Sequence, residues 1–141
     1  NTPFFMTQQI EIQLPSYPKG LHLITNVIKE KLPTLPEKGM VNIFIKHTSA
    51  ALTINENADP TARRDLEAFM DYLIPEGLPL YQHTMEGKDD MPAHIKTSMI
   101  GPSITVPVTD GKMNLGTWQG IYLCEFRNHG GSRKLLITVY S

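Results

Sequence analysis

The 141-residue chain has one cysteine, Cys124. A lone thiol cannot close an internal disulfide, so packing has to hold the fold, and such usage fits a reducing cytosol. Cys124 has no cationic neighbour or helix start in the sequence to activate it, and it reads as a small core residue. Charge of one sign is also missing: 13 Lys and Arg against 14 Asp and Glu leave a formal net charge of −1. With no Lys/Arg run to track phosphates, a nucleic-acid protein that works by bulk charge is excluded. No apolar run approaches the roughly 20 residues of a membrane helix, so no membrane partner is expected. The start, "NTPFFMTQQ", has no basic leader followed by an apolar core and does not read as a signal peptide. Paired CxxC, HExxH and a nucleophile elbow are absent as well, which removes the commonest compact zinc and serine-hydrolase signatures.

What is present is the patterning of one ordinary domain, long enough to bury roughly two-thirds of its unfolded surface without disulfides or a structural metal. Residues 1–6, with Asn1 first and Met6 last, read as an expression remnant or a disordered start, and residues 7–141 as the domain. "QQIEIQLP" alternates Ile10, Ile12 and Leu14 with polar residues, the period of a half-buried strand. "LITNVIKEKL" spaces Ile24, Val27, Ile28 and Leu32 as a helix that Pro33 and Pro36 end. "MVNIFIKH" predicts a strand with Val41, Ile43, Ile45 and His47 on one face, and a shorter strand follows over residues 51–55. "ADPTARRDLEAFMDYLIP" predicts a helix capped by Asp59, with Pro60 in its first turn and Pro75 at its end. Its apolar stripe is Ala62, Leu66, Phe69, Met70 and Leu73, with Asp65 inside the stripe and in need of a partner.

"YQHTMEGKDDMPAHIK" then breaks the apolar pattern, and its second half predicts a short helix capped by Asp90 over residues 91–100. The last third is strand. "ITVPVTDGKMNL" predicts a hairpin turning at Asp110-Gly111, with Pro107 marking an edge or a bulge. "GIYLCEF" and "RKLLITVY" predict a second pair around the turn at 128–131. Together these make an α+β domain with an antiparallel sheet core, two sheets packed together, and two or three helices in the first two-thirds.

Three groups of residues could carry chemistry. His47 ends a strand, and His83 and His94 are eleven apart, which matches no compact zinc spacing. Imidazole is a common ligand and strand-end and loop histidines can converge, but a lone histidine is more often a hydrogen-bonded structural residue. Among carboxylates, Glu56 and Asp59 sit at a strand-to-helix junction, and Glu125 shares a strand face with Ile121 and Leu123. Asp65 either orients a histidine, acts as a general acid or base, or pairs with a buried arginine. In "NLGTWQG", Gly116 and Gly120 flank Thr117, Trp118 and Gln119, a stretch whose amides could meet an anion or simply form a tight connection. Lys96 and Arg133 are possible anion contacts. By residues alone, the chain is a cytoplasmic α+β domain with a possible histidine and carboxylate site.

"HTSAALTINENADPTARRDL", "YQHTMEGKDDMPAHIKTSMIGPSITVPV" and "GKMNLGTWQGIYLCEF" closely resemble the corresponding blocks of the YjbQ-like proteins, in the same order and over nearly the whole chain from Ile10. The turn "RNHGGSRK" departs from the Asp-Gly-Pro-Arg-like turn of many relatives. The resemblance implies a small β-sandwich with flanking helices, assembled as a homotrimer, with secondary thiamine-phosphate synthase activity on small phosphorylated substrates. For that chemistry Glu56, Asp65 and Glu125 could supply oxygen ligands or catalysis. Lys96, Arg133 and the segment Gly116, Thr117, Trp118 and Gln119 could hold phosphates. The same blocks carry His47, His83 and His94, which suit zinc better than the magnesium that diphosphates usually bring. The expected site therefore has these three histidines converging on a divalent metal, with Asp65 and Glu125 behind them and the pocket shared between subunits. A metal-dependent hydrolase and a non-catalytic module that binds a small anionic metabolite remain the alternatives.

Overall fold

In the computed structural model, which describes residues 7–141, eleven elements follow one another along the chain. They are β1 (Gln8–Gln13), β2 (Gly20–Leu23), α1 (Thr25–Lys31), β3 (Lys38–Ile45), β4 (Ala50–Glu56), α2 (Pro60–Leu73), α3 (Asp90–Ile100), β5 (Ser103–Thr109), β6 (Lys112–Met113), β7 (Gln119–Glu125) and β8 (Lys134–Tyr140). Strands β1-β8-β3-β5-β6 form one antiparallel sheet and β2-β7-β4 another, so the α+β class expected from the patterning holds. The reading of residues 1–6 lies outside the described residues. No helix among the described residues is long and apolar enough to cross a membrane.

The alternating strands behave as their period dictates. Val41, Ile43 and Ile45 of β3, Leu135, Ile137 and Val139 of β8, and Ile121 and Leu123 of β7 share one apolar cluster with Ile24 and Ile28 of α1. Each such fully buried aliphatic side chain is worth about 1.5–3 kcal/mol of burial. The opposite face of β7 presents Tyr122, Cys124 and Phe126 to a smaller cluster with Ala93 of α3, against which Leu66 and Met70 of α2 pack. Burial in that layer pushes the Cys124 thiol up to about 12, consistent with an inert core residue. Residues of the two sheets therefore share one apolar cluster, and the other face of β7 packs with α2 and α3.

Asp110 (φ 52°) and Gly111 (φ 76°) both take positive φ, the type I′ geometry that joins β5 to β6. Pro107 of β5 lies opposite the residue that follows β6; its carbonyl accepts the Asn114 N–H at 2.8 Å, and it has no N–H of its own to return that bond.

Four expectations change. β7 and β8 do not pair, because the chain between them crosses from one sheet to the other. β2 is a strand that the patterning does not predict; its four residues pair with β7, and Leu23, the first residue of the expected helical stretch, belongs to it. In α2 no residue is fully buried, because only Leu66, Met70 and Glu67 touch the sheet; Phe69 and Leu73 of the expected stripe are exposed. Asp65 is likewise exposed on the outer side of that helix, so it is not the inward carboxylate that the stripe predicted. Finally, α3 begins at Asp90 with Asp89 at the cap position, and Asp90 is a first-turn residue with work of another kind.

Candidate metal centre

Asp90 and His94 are four residues apart in α3, which places both on one face over its first turn. The irregular segment after α2 is pinned by the Tyr81 hydroxyl donating to the Pro75 carbonyl at 2.9 Å, and it returns His83 to that face. His83 Nε2 lies 2.7 Å and His94 Nε2 3.2 Å from the same oxygen, Asp90 Oδ2, and the imidazole centroids are 5.4 Å apart. One ligand atom from each of the three residues falls within 4.8 Å of the other two.

The proton inventory makes this cluster more than a set of hydrogen bonds. His94 Nδ1 is 2.8 Å from the Thr48 carbonyl, which can only accept, so Nδ1 carries the proton and Nε2 of the neutral ring presents a lone pair. That lone pair faces Asp90 Oδ2, an acceptor when ionised. Two acceptors at 3.2 Å need a positive charge between them, either an extra proton on the ring or a bound cation. A carbonyl fixing the far nitrogen of an imidazole is also the usual support for a metal-ligating histidine.

Asp90 is 2 % exposed, so its carboxylate has to be compensated. Arg127 does this from the opposite side. Its Nη1 donates to Asp90 Oδ1 at 2.6 Å, its Nε to Asp89 Oδ2 at 2.9 Å, and its Nη2 to the Glu86 carbonyl at 2.9 Å. Asp89 Oδ2 also accepts from the Asn128 N–H at 2.9 Å. Burial alone would raise the Asp89 carboxyl, but the Asn128 amide and the Arg127 guanidinium outweigh it and hold it below its ordinary value. Bonding to Asp89 in turn raises Arg127. Gly87, at φ +107°, lets the loop turn tightly enough to bring Glu86 and Asp89 around the guanidinium. The result is a carboxylate locked on Oδ1 and presented on Oδ2, with half-exposed His83 leaving one side of the cluster open.

Two imidazoles and one carboxylate with an open side form a donor set that catalytic zinc and other first-row dications use. The residues present therefore fit a transition metal better than magnesium, which prefers oxygen ligands.

The structure brings His83 and His94 together but leaves His47 out. β3 ends at Ile45, and the His47 ring turns so that Nε2 accepts the Lys134 N–H at 2.8 Å at the start of β8. Burial, then the Arg133 charge, lowers its pKa and keeps it neutral for that bond. His47 is next in sequence to Thr48, which supports His94, so it neighbours the site without joining the ligand set. Asp90 takes the third place.

Glu125 and Arg133 are both buried and face each other: Arg133 Nε to Oε1 at 2.7 Å and Nη2 to Oε2 at 2.5 Å. Arg133 Nη2 also reaches Ser49 Oγ at 3.0 Å, and a Cβ at Gly130 would sit 2.5 Å from both Glu125 oxygens. Glu125 Oε2 also accepts the Arg127 N–H at 3.1 Å, so both oxygens of this carboxylate are engaged. Lys96 is buried against Asp71, away from the histidines. Glu56 lies at the far end of β4, where Oε2 accepts the Asp59 N–H at 3.0 Å. It pairs in register with Gln119, beside the exposed Gly116, Thr117 and Trp118. There the Gly116 amide is already taken by the Gln119 side chain at 2.8 Å, so that loop is not an open anion nest. The patterning marks Asp90 only as a helix cap and does not mark Asp89 or Arg127, although the Asp-x-x-x-His spacing of residues 90 and 94 is a usable signal.

A family model described as "UPF0047 protein YjbQ-like" matches residues 8–141. A UPF0047 protein YjbQ of Salmonella typhimurium is 48% identical over 136 residues, covering 95% of this chain and 98% of that one. A UPF0047 protein of the cyanobacterium Synechocystis is 38% identical, covering 96% and 92%. Among solved structures, a conserved hypothetical protein from Thermus thermophilus superposes with a TM-score of 0.79 at 30% identity, covering 92% of this chain and 98% of that one. An uncharacterized conserved protein from Clostridium acetobutylicum does so with a TM-score of 0.75 at 35% identity, covering 94% and 99%.

Proposed function

The chain belongs to the UPF0047 YjbQ-like family, and from that membership and the geometry above we propose that it is a metal-dependent enzyme centred on His83, Asp90 and His94. The observation that carries the reading is the pair of imidazole nitrogens and the carboxylate oxygen converging beside an open side, with Arg127 and the Thr48 carbonyl orienting the donors. A dication bound there supplies Lewis-acid stabilisation of a phosphate or diphosphate oxygen.

The reaction proposed is the secondary thiamine-phosphate synthase condensation. The ring nitrogen of a thiazole phosphate attacks the methylene carbon of hydroxymethylpyrimidine diphosphate, a carbon–nitrogen bond forms, and the carbon–oxygen bond breaks as pyrophosphate leaves with its electron pair. Asp90, held on Oδ1 by Arg127, and the two imidazoles would hold the dication in place through this. The same proposal takes the two sheets as the faces of a β-sandwich and the active assembly as a homotrimer. The exposed Phe69 and Tyr72 of α2, and the exposed Trp118, are apolar surface that such an assembly would cover.

The donor set favours one further reading. Two imidazoles suit zinc and its bound water, the equipment of a metal-dependent hydrolase. Both are separated by incubating purified protein with the two thiamine precursors and, in parallel, with phosphate and amide esters, under zinc, manganese and magnesium. The synthase reading expects pyrophosphate release and coupled product that His94→Ala abolishes. Ester hydrolysis without coupling assigns the hydrolase, and no turnover with any metal removes both.

A further inference from the structure

We propose that a second site, independent of the metal cluster, binds a small oxyanion between β2, α2 and α3, and that Asp71 occupies the anion's place when none is bound. The site is a cavity of about 120 Å³ whose charged lining residues are Lys19, Lys96, Glu67, Asp71 and Glu125, with Phe126 beside them. That is room for several waters or for one carboxylate or phosphate group.

Lys96 is the unusual member. It projects from the buried face of α3, its side chain is 3% exposed, and its Nζ stands 5.5 Å above the centre of the Phe126 ring. An ammonium carries three donors. Among the described residues Lys96 Nζ has one acceptor, Asp71 Oδ1 at 2.6 Å. The same oxygen takes the Lys19 ammonium at 3.0 Å. Two ammonium groups thus converge on a single carboxylate oxygen, and Lys96 keeps N–H donors to spare.

The other two carboxylates of the lining are engaged elsewhere. Glu67 turns Oε2 to the Leu21 N–H at 2.7 Å, and Glu125 is closed on Arg133. Asp71 itself is 51% exposed at its side chain and belongs to a helix with no fully buried residue. Burial would raise its carboxyl, yet Lys96 and Lys19 hold it below the ordinary value. A buried ammonium and a partly exposed one, with a half-exposed carboxylate over them, form a site that an incoming oxyanion can enter by letting Asp71 swing into solvent. The permanent part is on the sheet and α3, and the movable part is on α2.

The proposal needs no metal, so its test is run on protein freed of metal by chelator, where failure of the metal reading cannot affect the outcome. Inorganic phosphate and acetate are titrated separately by calorimetry in low-chloride buffer. Asp71→Asn, which removes the competing charge at an exposed position, is expected to bind at least one of them about tenfold or more tightly than the parent chain. Lys96→Met is expected to abolish that binding, and Lys19→Met to weaken it. Phosphate binding without acetate binding assigns a phosphate site, and the reverse a carboxylate site; either supports the proposal. Asp71→Asn protein that binds neither anion more tightly than the parent overturns it, as does undiminished binding by the double variant Asp71→Asn, Lys19→Met. The second criterion stands even if Lys96→Met does not fold.

Discussion

At the Glu125 end of β7 the charged side chains are buried and each has a named partner, whereas at the Gln119 end, roughly 20 Å away along the strand, Glu56, Thr117, Trp118 and Gln119 sit at or near open surface. Both ends looked like sites in the amino-acid sequence, and both contain the residue types that bind phosphates or metals. Burial separates them. A carboxylate that is 2% exposed has to be compensated, and at Asp90 one guanidinium does so on Oδ1 while two imidazole nitrogens converge on Oδ2. An exposed glutamate answers to water and specifies nothing. The buried end also holds two different solutions to one problem: Glu125 and Arg133 consume each other's bonding capacity, while Asp90 and Arg127 leave an oxygen free.

Breaking the closed pair should give the largest effect. Glu125→Gln leaves the Arg133 guanidinium uncompensated inside the fold, and urea unfolding is expected to register a loss of about 3–5 kcal/mol. A loss within the range of an ordinary surface substitution would mean the pair is hydrated and the contrast between the ends is smaller than the structure implies. Arg127→Ala comes next. Because Arg127 orients Asp90 without being a ligand, metal affinity measured by competition with a chromogenic chelator should fall about 10–100-fold. Arg127→Lys should recover only part of it, since an ammonium cannot reach Asp89, Asp90 and the Glu86 carbonyl in one fork.

A third, smaller effect is tied to pH. The folded state depresses the pKa of His47, so the unfolded chain takes up a proton first as the solution is acidified. The stability linked to His47 is complete above the unfolded value of about 6.5 and is lost as pH falls through the folded one. Unfolding free energies measured from about pH 8 to about pH 5 should decline over that window, and the decline should flatten in His47→Gln. An unchanged slope in that variant would assign the decline to other groups. At the open end, Trp118→Ala should change the stability of the separated chain by no more than about 0.5 kcal/mol. If it also splits a trimer seen by sedimentation, the exposed end of β7 is an interface rather than a pocket.

Much of the fold was legible because alternation and turn chemistry are local. Ile10, Ile12, Val41, Ile43 and Ile45 needed only a period of two, and Asp110-Gly111 needed only two positive φ values. The partnering of β7 and β8 was misjudged because short connections usually join neighbours, and here the connection bridges two sheets to bury Glu125 with Arg133. Asp65 was misjudged for a related reason: the helical period of α2 is real, but only a narrow strip of it touches the sheet, and periodicity does not say how deep a helix sits. His83 and His94 were recognisable as candidates. Asp90 was read as a cap and Arg127 was not considered, because a residue that balances a buried charge from 37 positions away leaves no local pattern. His47 lies past the end of β3, beside the Thr48 that supports His94, with its Nε2 taken by the Lys134 N–H.

The central claim is that His83, Asp90 and His94 form a metal centre. Its most direct test is elemental analysis of the chain after dialysis against zinc, manganese, iron or cobalt and removal of free ion, with His94→Ala carried alongside and its fold verified by circular dichroism. The account predicts close to one equivalent of a transition metal per chain in the parent and almost none in the variant. No stoichiometric metal in the folded parent, or equal uptake by His94→Ala, would contradict it.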